Sequence, residues 1–555
     1  MNKIEEQKLQ EEFLKIQKSA DFYGLDCFKT IFHVVDFETL HELAAYGGFP
    51  SRYPHYRWAV EYEKLNKQYR HGLMKIYEMV INTDPCHAYL LLANLPIDMK
   101  IVAAHVLGHN DFFKNNYCFG HTNRKMLDEI ANHCARIECH ISKHGQDKVE
   151  EFITQVFSLE NLIDIHSPYI KRYGEPVKTE GGDDEEIIEI PTLKGPRRYL
   201  DRYLNPEEWK KEMKEIIEKK KEEEKEKKIG MKIPEEPERD ILLFLLLNAP
   251  LQEWERDILS IIREEVYYFA PQGQTKIMNE GWATYWHSKI MSGGEDYQKD
   301  EPAPLATDPE IIDYAIHHSG TVASHGYLNP YKLGLAIWKD IEARWNKGKF
   351  GEEWEECLKK GGYEDRKKYD KKIGKGREKM FEVRKMHNDI AFLSEFLTDE
   401  MIAKQNLFHF QKYGDFYVID SFKANKIKKQ VLFQLTNFGD PIIKIEDANY
   451  KKQGELYLKH YWEGISLDLR WAKEVLLKSL ALIWKRPVNI ETVITEEKDL
   501  PAPKTHPEKP PEFPGFPEKI KGEVMILRCT PPGKDGKYDY NEKKNGEIVE
   551  TKAII

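Results

Sequence analysis

The sequence predicts a mainly α-helical protein, with one large helical domain followed by a small α+β domain. Three observations carry that expectation. Apolar residues recur at three- and four-residue steps through the first 175 residues and again through 241–405. From about 406 the period shortens to two, in short runs separated by Gly, Asn and Asp turns. Between the two helical stretches, residues 176–240 are dominated by charge.

In order along the chain, residues 1–175 read as helix after helix. KLNKQYRHGLMKIYEMVINTDP has the spacing of one buried helical face, broken at Asp84-Pro85. Residues 176–240 read as a charged insert or linker, an acidic Gly-containing stretch and then a Lys/Glu helix ending at Gly230. Residues 241–405 form the second part of the helical domain. Residues 406–497 form the α+β domain, with strands expected in FHFQKYGDFYVIDSF, QVLFQLTNFG, IIKIEDANY, ELYLKHYWEG and VNIETVIT, and a helix in LRWAKEVLLKSLALIW. Residues 498–555 read as a Pro/Lys-rich tail to which VMILRC adds at most one strand.

The bulk chemistry excludes several function classes. The 555-residue chain carries a formal charge of −10, which disfavours non-specific binding to nucleic acid or anionic lipid. Seven cysteines, with no CxxC pair, make neither a disulfide framework nor a zinc ribbon and fit a reducing compartment. The N-terminus is a charged amphipathic helix without an apolar signal core. The longest apolar run, Ile241 to Leu247, is far short of the roughly 20 residues of a membrane span. A cytoplasmic protein without membrane insertion is expected.

Two segments have the residue types and spacing of a metal site. In AAHVLGHNDFFKNNYCFGH, His105 and His109 are four apart and share one helix face. In TKIMNEGWATYWHSKIM, Glu280 and His287 are seven apart and also share a face. If the two helices pack together, His105, His109 and Glu280 make a two-histidine, one-carboxylate set for zinc or ferrous iron, with His287 as fourth ligand or outer donor. The Glu-Gly-Trp-Ala run resembles the glutamate helix of His-His-Glu zincin metallopeptidases, so the helical domain is expected to be zincin-like. A zincin reads H-E-x-x-H, and its Glu is the general base. Here Val106 holds that place and cannot take a proton. Glu265 and His318 are the principal candidates for the missing base, and Glu264 and Asp111 are others. The alternative for the histidine pair is two core side chains held by carbonyls or carboxylates. His317, His318 and His325 fall at a helix end and loop suited to a pocket, with His318 the favoured pocket residue. Glu160, Asp164 and His166 in SLENLIDIHSPY could bind a metal or pair with arginines. Cys86 is either a nucleophile with a nearby base or a small buried thiol.

The same strings carry a family resemblance. DFYGLDCF, YRHGLMKIYEMVINTDPCHAYLL, AAHVLGHNDFFKNNY, SLENLIDIHSPYI, ERDILLFLLLNAPLQEWERDILSIIREEVYYFAPQGQTKIMNEGWATYWHSKIM and HSGTVASHGYLNPYKLGLAIW resemble segments of the stage V sporulation protein R (SpoVR) family, and the C-terminal QGELYLKHYWEGISLDLRWAKEVLLKSLALIWKRPVNIET resembles its small C-terminal domain. The resemblance spans about residues 20–497. It implies a cytoplasmic protein linked in spore formers to the peptidoglycan spore cortex, and more widely to stress physiology through a PrkA-type serine kinase and a von Willebrand-type protein. The family motif includes the His105/His109 pair and the NEGWA run, and it too lacks the zincin Glu. The functions that follow are a metal-dependent hydrolase of an amide bond in a peptide or cell-wall precursor, a non-catalytic scaffold acting through partners, or a non-haem iron enzyme.

Overall fold

A computed structural model describes residues 3–71, 75–170, 232–293, 301–324, 328–413, 416–421, 423–463, 465–495, 504–506, 509–512, 519–532 and 538–552. The Lys/Glu part of the charged insert and His325 lie outside the described residues. The chain is mainly helical, with a sheet near its C-terminus, as its sequence periods predict.

Helix α1 (Lys3–Tyr23) leads into strand β1 (Thr30–Val35), then helices α2 (Phe37–Ala45) and α3 (Tyr56–Arg70), and strands β2 (Glu78–Ile81) and β3 (Cys86–Leu91). The three strands form a sheet in the order β1-β3-β2, with β1 parallel and β2 antiparallel to the central β3. This sheet corrects the expectation of helix after helix. The EMVI that looked like the end of a helical face is the edge strand β2.

Helix α4 (Pro96–Asn115) carries the histidine pair. Pro96 in its first turn suits a position whose N–H has no intrahelical partner. The helix is buried almost all round, as expected of one surrounded by core. Met99, Val102 and Val106 pack against Ala88 and Leu90 of β3, while Ala103, Ala104 and Leu107 join the central aromatic core. Helices α5 (Met126–His144) and α6 (Gln146–Phe157) complete the first part.

The second part holds α7 (Ile241–Asn248), α8 (Glu253–Gln274), α9 (Lys276–Ser292), α10 (Ile311–Thr321) and α11 (Pro330–Lys347). Helices α12 (Gly351–Lys360), α13 (Tyr363–Lys368), α14 (Gly376–Met386), α15 (Asp389–Phe396) and α16 (Asp399–Lys404) follow. Helix α9, which carries Glu280 and His287, starts without a side-chain cap of its own. Asp389 of α15 supplies one instead, accepting from the backbone N–H of Ile277 and Met278 at 2.8 Å each. Asp389→Ala would strand two buried donors and should lower the unfolding free energy by about 2–4 kcal/mol, read from urea denaturation. An unchanged midpoint would show that this cap contributes nothing.

Small residues set how closely α9 meets its neighbours. A Cβ on Gly108 of α4 would lie 2.6 Å from the Ala283 Cα of α9. A Cβ on Gly281 of α9 would collide with the Gly334 backbone of α11, and one on Gly334 would collide with the Ile277 carbonyl. Three helices therefore touch backbone to backbone, bringing side chains from all three to one place. Behind them, buried Asp111 accepts from the Asp26 N–H at 2.8 Å, from Trp282 Nε1 at 2.9 Å and from Arg384 at 2.6 Å. All three donors occupy its carboxylate, so Asp111 is a structural anchor and not the missing base.

After the β4 (His409–Tyr413) and β5 (Phe416–Ser421) hairpin comes α17 (Ala424–Leu435), a helix where QVLFQL had been expected as strand. Strands β6 (Ile442–Tyr450) and β7 (Glu455–Tyr461), helix α18 (Lys478–Trp484) and strand β8 (Val488–Thr495) follow the expectation. Two short strands, β9 (Lys504–His506) and β10 (Lys509–Glu512), pair with each other. Then β11 (Lys519–Thr530) and β12 (Asp539–Lys552) extend the sheet to five strands in the order β12-β11-β8-β7-β6. The tail beyond 497 thus supplies four strands, two of them to this sheet, where at most one had been expected. This sheet buries Ile445, Leu458 and Ile490 in one core with Phe152, Leu245 and Ile258 of α6, α7 and α8. Among the described residues, no helix is long and apolar enough to cross a membrane.

Candidate metal centre

The close contact of α4 and α9 puts the two motifs side by side. Glu280 Oε2 lies 3.6 Å from His105 Nε2 and 3.4 Å from His109 Nε2. These separations exceed a good hydrogen bond and match the roughly 3.3–3.4 Å between donors that share one tetrahedral ion with bonds of about 2.0–2.1 Å. Glu280 Oε2 is buried and has no hydrogen-bond partner. An orphaned carboxylate oxygen facing two imidazole nitrogens fits a divalent ion of the zinc or ferrous type.

The supporting shell fixes both rings. His109 Nδ1 is 2.8 Å from Asn279 Oδ1, so it donates there and leaves Nε2 free to ligate. His105 Nδ1 is 3.1 Å from His287 Nδ1, and His287 Nε2 is 2.9 Å from His318 Nδ1. With His105 Nε2 left free to ligate, His105 donates to His287, and His287 donates to His318, with all three rings neutral. Burial agrees with this, lowering His105 to about 4, His287 well below its ordinary value, and His318 in the same direction. Burial works against charge on His109 and Glu280 too, but there the mutual ion pair wins, raising His109 and holding Glu280 well below the usual carboxylate range. Asn279→Ala should weaken metal binding by about 10–100-fold, measured by chelator competition. Unaltered affinity would show that the Asn279 contact does not orient the ring.

Sequence-predicted residues separate into two groups. His105, His109 and Glu280 come together, with His287 behind His105. Both His287 nitrogens face other histidines, so it is an outer hydrogen-bond partner of His105 and not a fourth ligand. His318 is reached only through His287. Glu265 is not in this site: it pairs with Arg52 and lies 3.4 Å from His133. Glu264 lies in that same separate group. His317 is paired with Asp98 at 2.8 Å. Glu160 bonds Arg57, and Asp164 accepts from the His166 N–H at 3.0 Å. The Cys86 thiol is buried, pushed up to about 12, and donates to the Ile81 carbonyl, an inert arrangement. Val106 faces β3 in the apolar cluster already described, so that side of α4 offers no place for a base.

Two residues were missed by sequence reasoning. Glu78, half-buried on edge strand β2, lies close enough to be influenced by His109, Glu280 and His317, and burial lifts its carboxyl to about 7. Tyr331 opens α11, its ring stacked at 6.0 Å on His105, and burial beside Glu280 and Glu78 raises its phenol far above the ordinary range. Asn329-Pro330 is a helix-start signal that could have flagged Tyr331. Glu78 had no local signal, because it faces the site only through strand pairing.

The family described as "SpoVR like protein" matches residues 3–440. The chain belongs to the SpoVR family. This SpoVR-family chain is 31% identical over 344 residues to the "Uncharacterized protein YcgB" of Escherichia coli (strain K12), covering 59% of this chain and 62% of that one. It therefore spans less than two thirds of the length of that relative. No solved structure matches it.

Proposed function

We propose that this SpoVR-family protein is a cytoplasmic metal-dependent hydrolase with a zincin-like centre, acting on an amide bond in a peptide or cell-wall precursor. The observation that carries the reading is Glu280 Oε2, buried, without a hydrogen bond, and facing His105 and His109. A zinc or ferrous ion held by these three residues would supply Lewis acidity toward a carbonyl or a water. Glu78 takes the part that Val106 cannot, accepting the proton of the attacking water and returning it to the leaving nitrogen. Tyr331 donates to the oxygen on which charge develops. The His105–His287–His318 row keeps His105 neutral and correctly turned.

The test is elemental analysis of protein purified without added metal or histidine tag, beside a His105→Ala/His109→Ala variant. About one zinc or iron assigned to this centre, lost in the variant, supports the reading and directs a screen of peptide and muropeptide amides. Folded protein that neither carries nor takes up either metal sinks it, and points to a scaffold acting with partners such as a PrkA-type kinase. Iron in place of zinc would favour a non-haem iron enzyme, for which two histidines and a carboxylate are also a suitable set.

A further inference from the structure

A second group of metal-ligating side chains joins α5 to α8, separate from the Glu280 centre. Glu129 and His133 are four apart on α5, and Glu264 comes from α8. Their donor atoms all lie within 4.8 Å of one another. The His133 side chain is 1% exposed, and neither ring nitrogen has a hydrogen-bond partner. His133 Nε2 lies 3.6 Å from Glu129 Oε1 and 3.5 Å from Glu264 Oε2, again longer than a good hydrogen bond and close to the separation of ligands around one ion.

The far side of the ring completes the pattern. His133 Nδ1 lies 3.4 Å from Glu265 Oε1, and Glu265 is itself held by Arg52, whose guanidinium stacks 4.0 Å over the Trp58 ring. A carboxylate behind the imidazole is the usual device for fixing a metal-binding histidine. Charge points the same way. Glu129, Glu264 and Glu265 bring three negative charges against one from Arg52, while Arg136, which also feels Glu129 and Glu264, is paired with Asp257. With His133 neutral, as a metal ligand must be, the group lacks two positive charges, which is one divalent cation.

We propose that Glu129, His133 and Glu264 form a second divalent-cation site, suited to zinc by its nitrogen-and-carboxylate donors, with Glu265 as the positioning residue behind His133. Glu129 and Glu264 are 32% and 44% exposed, so the site opens at the surface and its remaining position faces solvent. A cation there would staple α5 to α8 without touching the Glu280 centre.

The experiment is zinc titration of the full-length protein against a chromophoric chelator, with circular dichroism to verify folding. The Glu129→Gln/Glu264→Gln variant changes two partly exposed residues to isosteres. In wild-type protein it should lower the zinc bound by one equivalent. In the His105→Ala/His109→Ala background, one equivalent should remain and then be lost on adding the two glutamine changes. Should that background fail to fold, the wild-type comparison decides alone. Equal zinc in wild type and the Glu129→Gln/Glu264→Gln variant overturns the site, and shows His133 to be held by its carboxylates as an ion pair. One equivalent that depends on Glu129 and Glu264 but not on His105 and His109 supports this site while sinking the proposed enzyme centre.

Discussion

Glu280→Gln should abolish metal binding at the α4–α9 centre while leaving the metal-free fold nearly as stable as before. The change is isosteric, so the packing of α9 on α4 is kept. It removes the one anionic ligand, and a neutral amide oxygen is a poor substitute beside two imidazoles. In the metal-free state no charge is stranded, because His109 can release its proton when its partner becomes neutral. In the Glu129→Gln/Glu264→Gln background, where only this centre is left to bind, zinc should therefore raise the thermal midpoint strongly, and little once Glu280→Gln is added, since only a ligand that binds the native state stabilises it. Equal zinc-dependent shifts would place the ion elsewhere. A variant that is unfolded even without metal would assign Glu280 a structural task instead.

Gly334→Ala is the second large effect, and it acts through backbone contact. The added methyl would meet the Ile277 carbonyl and the Gly281 Cα, neither of which can turn away as a side-chain end can. Overpacking costs about 1–3 kcal/mol where side chains can adjust; here α9 and α11 must move apart, so a loss of about 3 kcal/mol or more is expected. The same separation draws Tyr331 from His105 and Glu280. Gly320→Ala on exposed α10 is the matched control, because a Cβ there meets nothing within 4 Å. That change should stabilise by up to about 1 kcal/mol through helix propensity alone. Opposite signs in urea melts establish that contact, not glycine as such, sets the effect. Equal small effects would mean that the helices are not held this closely.

The ligand set was legible in the sequence because its two carriers are long helices with unmistakable spacing. Four residues from His105 to His109 is one turn, and that relation survives whatever packs around it. What could not be read was anything delivered by a strand. TIFHVV, EMVI and CHAYLL are four to six residues long, and over so short a run a buried strand and part of a helix have the same apolar content. Glu78 was lost with them. The same ambiguity ran the other way at QVLFQL, where valine, phenylalanine and the following NFG suggested a strand. Ile427, Val431, Leu432 and Leu435 in fact share the three-and-four spacing of α17 and pack into the central core. Asn279 was in plain view beside Glu280, but its task depends on the ring that it meets from another helix. Glu265 illustrates the converse, a buried carboxylate whose partners, Arg52 and His133, come from distant stretches and give it work outside the centre.

Asp111 bears on how the molecule is assembled in time. Three of its donors are 85, 171 and 273 residues away along the chain. Individual helices form in about a microsecond, but this carboxylate is neutralised only when Arg384 arrives. Until then the central core would enclose an uncompensated charge, which is strongly unfavourable. Closing the helical body around a charged Asp111 therefore requires the Arg384 segment, and its folding rate is expected to depend on distant encounters more than on helix formation.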